Sequence, residues 1–354
     1  SKVSVYLNGT TKSFLTDSDG TFSLTELPQG NFNLVFKKDQ YESIIINSKD
    51  ALYKKLKVVL LKTENIEEVT LIPFTDAAYR EYIQFFLQSF IGGDLSNVKI
   101  KNQKILKFAY DRNANTLRVV APQTLIIENK NLGYTVNYDL MEFTADFESN
   151  ITRFVGSSFF KEDKKSNRYI LNRMNAYSGS QVHFLRSVYA KTVAAEGFSV
   201  NQITKVANPS YPTEEELERF RAFRKSDGRS KNMMIPQDIA DIGRRKREMP
   251  YKIAVTKVNL PESDYTVSED GKMFLRYDHM LKVRFKKYLY EIKKGEFVKA
   301  KFPVSQISYL HLEGDAFEIF SDGNNANPGM LTNQGAFATD KIEKLLPLDY
   351  TLGD

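Results

Sequence analysis

Cysteine and tryptophan are both missing from this chain, and histidine occurs only at positions 183, 279 and 311. Without cysteine there is no disulfide, no thiolate nucleophile and no thiolate-bound zinc. No HExxH, paired HxH or DxD-type cluster lies near any of the three histidines, which argues against a zinc hydrolase or a structural zinc. No GxxxxGK[ST] or GxGxxG occurs either, and Gly92-Gly93 closes a predicted helix, the wrong end for binding a phosphate. No apolar run reaches the eighteen or more residues of a membrane helix. The first thirty residues lack the layout of a signal peptide, so the chain as given is expected to be soluble. The absence of cysteine leaves cytosol, periplasm and cell surface all open.

What is present is a globular composition. The chain has 354 residues, 42% hydrophobic and 12% aromatic, enough for two or three domains with sizeable cores. Fifty basic residues against 44 acidic ones give a net charge of +6. The excess is uneven: from Lys272 to Lys301 ten basic side chains stand against Asp278, Glu291 and Glu296.

The first sixty residues read as short strands. "VSVYL", "KSFLT", "TFSLTEL", "NFNLVFKK", "SIIIN" and "KKLKVVLLK" alternate apolar with polar and are separated by turn residues, the pattern of an all-β sandwich. A sandwich commonly has about seven strands, so this one is expected to begin upstream of residue 1 or to leave an edge open. The run Asp17-Ser18-Asp19-Gly20 invites a calcium reading. An EF-hand loop needs its glycine at position six, whereas counting from Asp17 places it at four, so Asp19-Gly20 is read as a type I′ hairpin turn.

The series Val5, Leu7, Gly9, Thr10, Thr16 to Gly20, Phe22, Leu24, Leu27, Pro28, Gly30, Phe32, Leu34 and Phe36 resembles the carboxypeptidase-regulatory-like domain. That resemblance implies a non-catalytic, transthyretin-like sandwich over residues 1–62. Such domains commonly precede outer-membrane receptors and other envelope proteins of Gram-negative bacteria. Gln40 departs from the pattern, because a glycine usually precedes the tyrosine there.

Residues 63–74 read as a linker. An α+β body with mainly antiparallel sheet is expected over 75–350. It starts with a helix capped by Asp76 and ended at Gly92-Gly93, and strands follow. In the strand "LGYTVNYDLMEFTADF", Leu132, Tyr134, Val136 and Tyr138 share one face. A second helix is expected over "SGSQVHFLRSVYAKTVAAEGF", closed by Gly197. Residues 209–250 are highly charged and read as a mobile excursion, with a helix over 214–225 and loose chain after Asp227. "MLKVRFKKYLYEIK" reads as one strand, and "TDKIEKLLPLDY" as a short helix before Pro347. "FLQSFIGG", "KILKFAYD", "LIIENKNLGYTVNYDL", "GSSFF", "AYSGSQVHFLRSV" and "LLPLDY" resemble the bodies found behind such domains in envelope proteins. This second resemblance implies a compartment and no reaction.

No catalytic residue, cofactor or metal ligand is assigned. Ser180 and His183, three apart at a helix start, read as an N-cap and a first-turn residue rather than a Ser-His dyad. Carboxylate pairs such as Asp315/Glu318 and Glu67/Glu68 read as solvated surface. The strongest binding signal is "LKVRFKKY", where Lys282, Arg284 and Lys286 alternate with apolar residues and share one face at intervals of roughly 7 Å. That row fits a solvated face, a charge-protected edge strand, or a site for an acidic partner such as another subunit or anionic lipid head groups. Arg244, Arg245 and Arg247 form a second basic run. Nucleic acid is not expected, since Phe285, Tyr288 and Tyr290 fit a core face better than a stacking platform. Lack of tryptophan weakens a carbohydrate platform without removing a tyrosine-based one.

The expectation is a non-enzymatic accessory or scaffold subunit of the bacterial outer membrane, on its periplasmic or surface side and lipid-anchored in its precursor. It would dock to a β-barrel transporter or assembly machine. The alternative is a surface glycan- or peptide-binding protein of a nutrient-uptake system.

Overall fold

The computed structural model describes residues 2–24, 27, 32–51, 55–62, 72–227 and 235–354. In the first unit β1 (Ser4–Leu7), β2 (Ser13–Leu15), β3 (Asn33–Lys37) and β4 (Ile44–Asn47) form an antiparallel sheet ordered β2-β1-β3-β4, followed by the one-turn helix α1 (Ser48–Ala51). Alternation puts Val5, Leu7, Leu34 and Phe36 on the covered face, where Phe22, Leu24, Val58 and Leu60 close the core. Two of the six expected strands, "TFSLTEL" and "KKLKVVLLK", have no ladder among the described residues. Phe22, Leu24, Val58 and Leu60 from these segments cover the sheet while Val59 and Leu61 are exposed, and among the described residues a bridge from Tyr41 to Lys62 and the bond from Glu42 N to Leu61 O tie the second one down. The turn expected at Pro28-Gln29-Gly30 and most of the 63–74 linker lie outside the described residues.

The Asp19-Gly20 turn exists in a different form. Gly20 alone has positive φ, at 92°, and its N–H donates to Asp17 O at 3.0 Å. That is a four-residue turn ending in a left-handed glycine instead of a two-residue type I′ loop. Thr21 Oγ1 donates to Asp19 Oδ1 at 2.9 Å, so the carboxylate that suggested a metal ligand braces the turn.

The middle unit has α2 (Asp76–Phe90), β5 (Val98–Ile100), β6 (Lys107–Asp111), β7 (Thr116–Val120), β8 (Leu125–Asn129), β9 (Tyr134–Asp146), β10 (Ile151–Glu162) and α3 (Asn167–Tyr177). The cap of α2 is Thr75, whose Oγ1 accepts from Ala78 N at 3.1 Å, and Asp76 is the first helical residue. β9 is the spine of the sheet. β10 runs along its whole length, while β8 pairs with its first part and β7 with its last. Leu132, Tyr134, Val136 and Tyr138 are all buried, as their alternation predicted. α2 lies across this face, with Phe86 fully buried 4.9 Å from the Phe143 ring and 5.2 Å from Phe90.

The third unit has its own core. It contains α4 (Gln181–Tyr189), β11 (Phe198–Ala207), α5 (Glu214–Asp227), α6 (Gln237–Arg245), β12 (Tyr251–Lys257), β13 (Thr266–Glu269), β14 (Lys272–Leu275), β15 (Met280–Lys287), β16 (Tyr290–Lys293), β17 (Glu296–Lys299), β18 (Val304–Leu312), β19 (Phe317–Ile319) and β20 (Leu331–Gly335). A five-stranded antiparallel sheet runs β12-β11-β15-β18-β20, beside a three-stranded sheet β13-β14-β19 and the hairpin β16-β17. α4 supplies Phe184, Leu185 and Val188 to the core. The helix expected to reach Gly197 stops at Tyr189 because Lys191 turns left-handed, with φ at 58°. Thr192 N then donates to Ser187 O and Lys191 N to Val188 O, a Schellman closure. α3, just before α4, was not foreseen. The single strand expected over "MLKVRFKKYLYEIK" breaks at Tyr288-Leu289 into β15 and β16. The excursion carries two packed helices instead of one helix and loose chain: Leu217, Ile239 and Ile242 are buried between α5 and α6.

The closing segment ties the three units together. Its expected helix is a single 3-10 turn at Ile342–Lys344. Glu343 N donates to Ile91 O at 2.9 Å in the middle unit and Leu348 N to Gly9 O at 2.7 Å in the first. Arg186 of α4 donates to the carbonyls of Asp322, Leu348 and Tyr350 at 2.8 to 2.9 Å.

Candidate functional site

β15 is the middle strand of its sheet, so the edge-strand reading of the basic row is corrected: Lys282 and Arg284 are paired on both sides, while Lys286 lies past the end of β11 and pairs with β18 alone. Leu281, Val283 and Phe285 are buried in the third core, and strand alternation therefore turns Lys282, Arg284 and Lys286 to the opposite face. That face is open. Register puts Asn201 and Tyr309 beside Lys282, Ser199 and Ile307 beside Arg284, and Ser305 beside Lys286. None of these neighbours carries a charge. Among the described residues none of the three cations has an ion pair, and Arg284, Lys286, Ser305 and Ile307 are exposed. Across the sheet, Tyr309 is followed by Gln334 and His311 by Thr332, so the face combines cations, hydroxyls and amides with few apolar groups.

The second basic run is placed differently. Arg244 and Arg245 close α6, and Arg247 follows it. Arg245 Nη2 meets Glu216 Oε1 of α5 at 2.5 Å, and Arg244 pairs with Asp241 at 3.0 Å within its own helix. The hydrogen bond from Arg245 holds the Glu216 carboxyl below its ordinary range. Arg245 therefore fastens the helix pair, Arg244 braces its own helix, and Arg247 makes no ion pair among the described residues. The structure does not bring this run into the β15 row.

Ser180 Oγ accepts from His183 N at 3.1 Å, capping α4 as the spacing predicted. His183 Nδ1 accepts from Gly179 N at 3.1 Å, so the ring proton sits on Nε2, which faces Glu196 Oε2 at 3.2 Å. Burial pushes this imidazole below the usual histidine pKa, although Glu196 acts the other way. Neither ring nitrogen is directed at a serine hydroxyl. Among the described residues no three His, Asp or Glu side chains gather to hold a metal ion.

One feature had no signal in the sequence. A polar cleft of about 690 Å³ opens between the first and middle units, lined among others by Tyr6, Lys37, Asn102, Asn137, Asp139 and Phe159. Tyr6 OH donates to Asp139 Oδ2 at 2.9 Å, and Lys37 also pairs with Asp139. Burial, with the Asp139 charge beside it, raises the Tyr6 phenol above its ordinary pKa. Asp139 is thus committed to holding the two units together. Only pairing between residues more than a hundred positions apart creates this cleft.

The architecture of the first unit is that of a small regulatory-type β-sandwich. Residues 1–71 match the family model of the CarboxypepD_reg-like domain, and this part of the chain is a carboxypeptidase-regulatory-like domain. No curated protein and no solved structure is matched by the chain.

Proposed function

We propose that this protein is a non-enzymatic accessory or scaffold subunit of the bacterial outer membrane that docks to a β-barrel transporter or assembly machine, anchored there by lipid in its precursor. The observation that carries the reading is the open face of β15. Three cations in a row, with no acidic neighbour in register, form a surface whose charge asks for an acidic partner. The envelope setting rests on the company that carboxypeptidase-regulatory-like domains keep. The first unit is clamped to the middle one through Tyr6, Lys37 and Asp139, so the chain can present its faces in fixed relation.

The test is to purify the tagged protein from gently solubilised envelopes and identify what co-purifies at constant ratio. A β-barrel that is retained by the wild type and lost from a Lys282→Glu, Arg284→Glu variant supports the proposal. A lone monomer, with no partner lost on solubilisation, sinks it. Surface glycan or peptide binding is the second reading, favoured by the polar cleft with its amides and its Tyr6 and Phe159 rings. Calorimetric titration with oligosaccharides and peptides, compared between wild type and Asn137→Ala, decides that one.

A further inference from the structure

The hairpin β16-β17 leaves the third unit at a pinned base. Tyr290 N donates to Asn175 Oδ1 at 2.7 Å, Asn175 Nδ2 donates back to Tyr290 O at 3.1 Å, and Lys287 Nζ donates to Asn175 O at 2.7 Å. At its tip Lys294 and Gly295 have φ of 53° and 85°, the two left-handed residues of a type I′ turn. Around this rigid projection apolar side chains stand in solvent. Phe302 is 76% exposed, more than any other large hydrophobic among the described residues, and Leu289, Ile292 and Val304 are exposed as well. From Tyr288 to Val304 the chain carries four lysines, no arginine and two glutamates. Lys301 Nζ sits 5.4 Å from the Phe302 ring centre and Lys299 Nζ 5.8 Å from the Tyr290 ring centre.

We infer that this hairpin, with the Lys301–Val304 strip that follows it, is an anchor for an anionic lipid surface, with Phe302 as the side chain that enters the interface. The composition separates this occupant from a protein. Protein interfaces are enriched in arginine and depleted in lysine, whereas lysine around an exposed aromatic suits a bilayer. There the phenyl ring enters the boundary between head groups and acyl chains and the long lysine stems lie along apolar surface with their charge on phosphate. Each lysine near an anionic membrane strengthens binding about fivefold. The pinned base, beside which Phe302 stands, lets the ring meet the membrane without rearrangement. This surface is separate from the open face of β15, and either role can stand without the other.

The chain has no tryptophan, so Phe302→Trp installs a single reporter in the full-length protein. Vesicles containing phosphatidylglycerol should shift its emission to the blue, and phosphatidylcholine vesicles at the same lipid concentration should not. Several hundred millimolar salt should reverse the shift. Replacing Lys299 and Lys301 by glutamate in that background should weaken binding at least about 25-fold, from the fivefold contribution of each lysine. Emission that ignores both vesicle types overturns the inference, and so does an equal response to both. A glutamate variant that binds as well as its parent places the contact elsewhere and overturns it too. Lys282→Glu with Arg284→Glu, measured alongside, should leave the vesicle response intact, which keeps this result distinct from the co-purification test.

Discussion

Leu348 N donates to Gly9 O at 2.7 Å while Gly9 N donates to Ser158 O, also at 2.7 Å. One glycine in the first hairpin thus joins the opening strands, the edge of β10 and the closing segment. Its φ is 77°, and a Cβ there would lie 2.8 Å from Leu348 Cδ1. Gly9→Ala should therefore lose about 2 to 4 kcal/mol from left-handed strain and overpacking together. Urea unfolding measures the loss, and amide exchange at Leu348 should accelerate with it.

Gln40 predicts the opposite sign. The family pattern favours glycine at this position, and the structure supplies the reason: Gln40 has φ of 68° in the turn closed by Tyr41 N on Lys38 O. A side chain in the left-handed region costs roughly 1 to 2 kcal/mol, which glycine avoids, although glycine gives up some of that through its freer unfolded chain. Gln40→Gly should gain on the order of 0.5 kcal/mol, read as a higher urea midpoint with an unchanged slope. A loss would show that the glutamine side chain makes a compensating contact.

Arg186 spends its guanidinium on three backbone carbonyls. Hydrogen bonds from a charged donor contribute about 1.5 to 3 kcal/mol each when partly buried, and their loss leaves carbonyls unpaired. Arg186→Met should cost about 3 kcal/mol and expose the closing segment to protease before the rest of the chain unfolds. Lysine at this position can serve only part of the fork, so Arg186→Lys should fall between.

Two groups, half-buried Asp340 and buried His183, pull the pH profile in opposite directions. Asp340 Oδ2 accepts from Gln181 N at 3.2 Å, and burial raises its pKa from 3.8 to about 6, against the charges of Lys344 and Lys287. The folded state then holds a proton that the unfolded chain releases, so this contribution is complete below pH 3.8 and is lost as pH rises through about 6. His183 is lowered by burial, so its contribution declines as pH falls below the ordinary histidine value of about 6.5. Asp340→Asn should remove the first slope and leave the second. Melting temperatures at pH 5 and pH 7 should show the variant losing more on acidification than the wild type does.

Much of this fold was legible locally. Alternation placed Leu281, Val283 and Phe285 inside and their basic neighbours outside, because a strand's faces depend only on adjacent residues. The same logic capped α4 at Ser180. What failed depended on distant partners or on one dihedral angle. Nothing in "KTVAAEGF" announces that Lys191 turns left-handed and ends α4 early. Extended segments such as "KKLKVVLLK" carry strand composition, yet whether they join a ladder is settled by the rest of the sheet. The row at Lys282, Arg284 and Lys286 was visible, but its place on a middle strand was not. Phe302 escaped notice because a lone phenylalanine between Lys301 and Pro303 has no periodicity to betray which side it faces.

Ala207 and Tyr251 stand opposite each other where β11 meets β12, and Asn208 latches the crossing by donating to Met249 O at 3.0 Å. The helix pair between them therefore leaves and re-enters the sheet at one doorway. Such a segment behaves as an interchangeable fitting: a short turn could take its place while β11 kept its pairing to β15. The part of this protein richest in charge is also the part its architecture could most easily exchange.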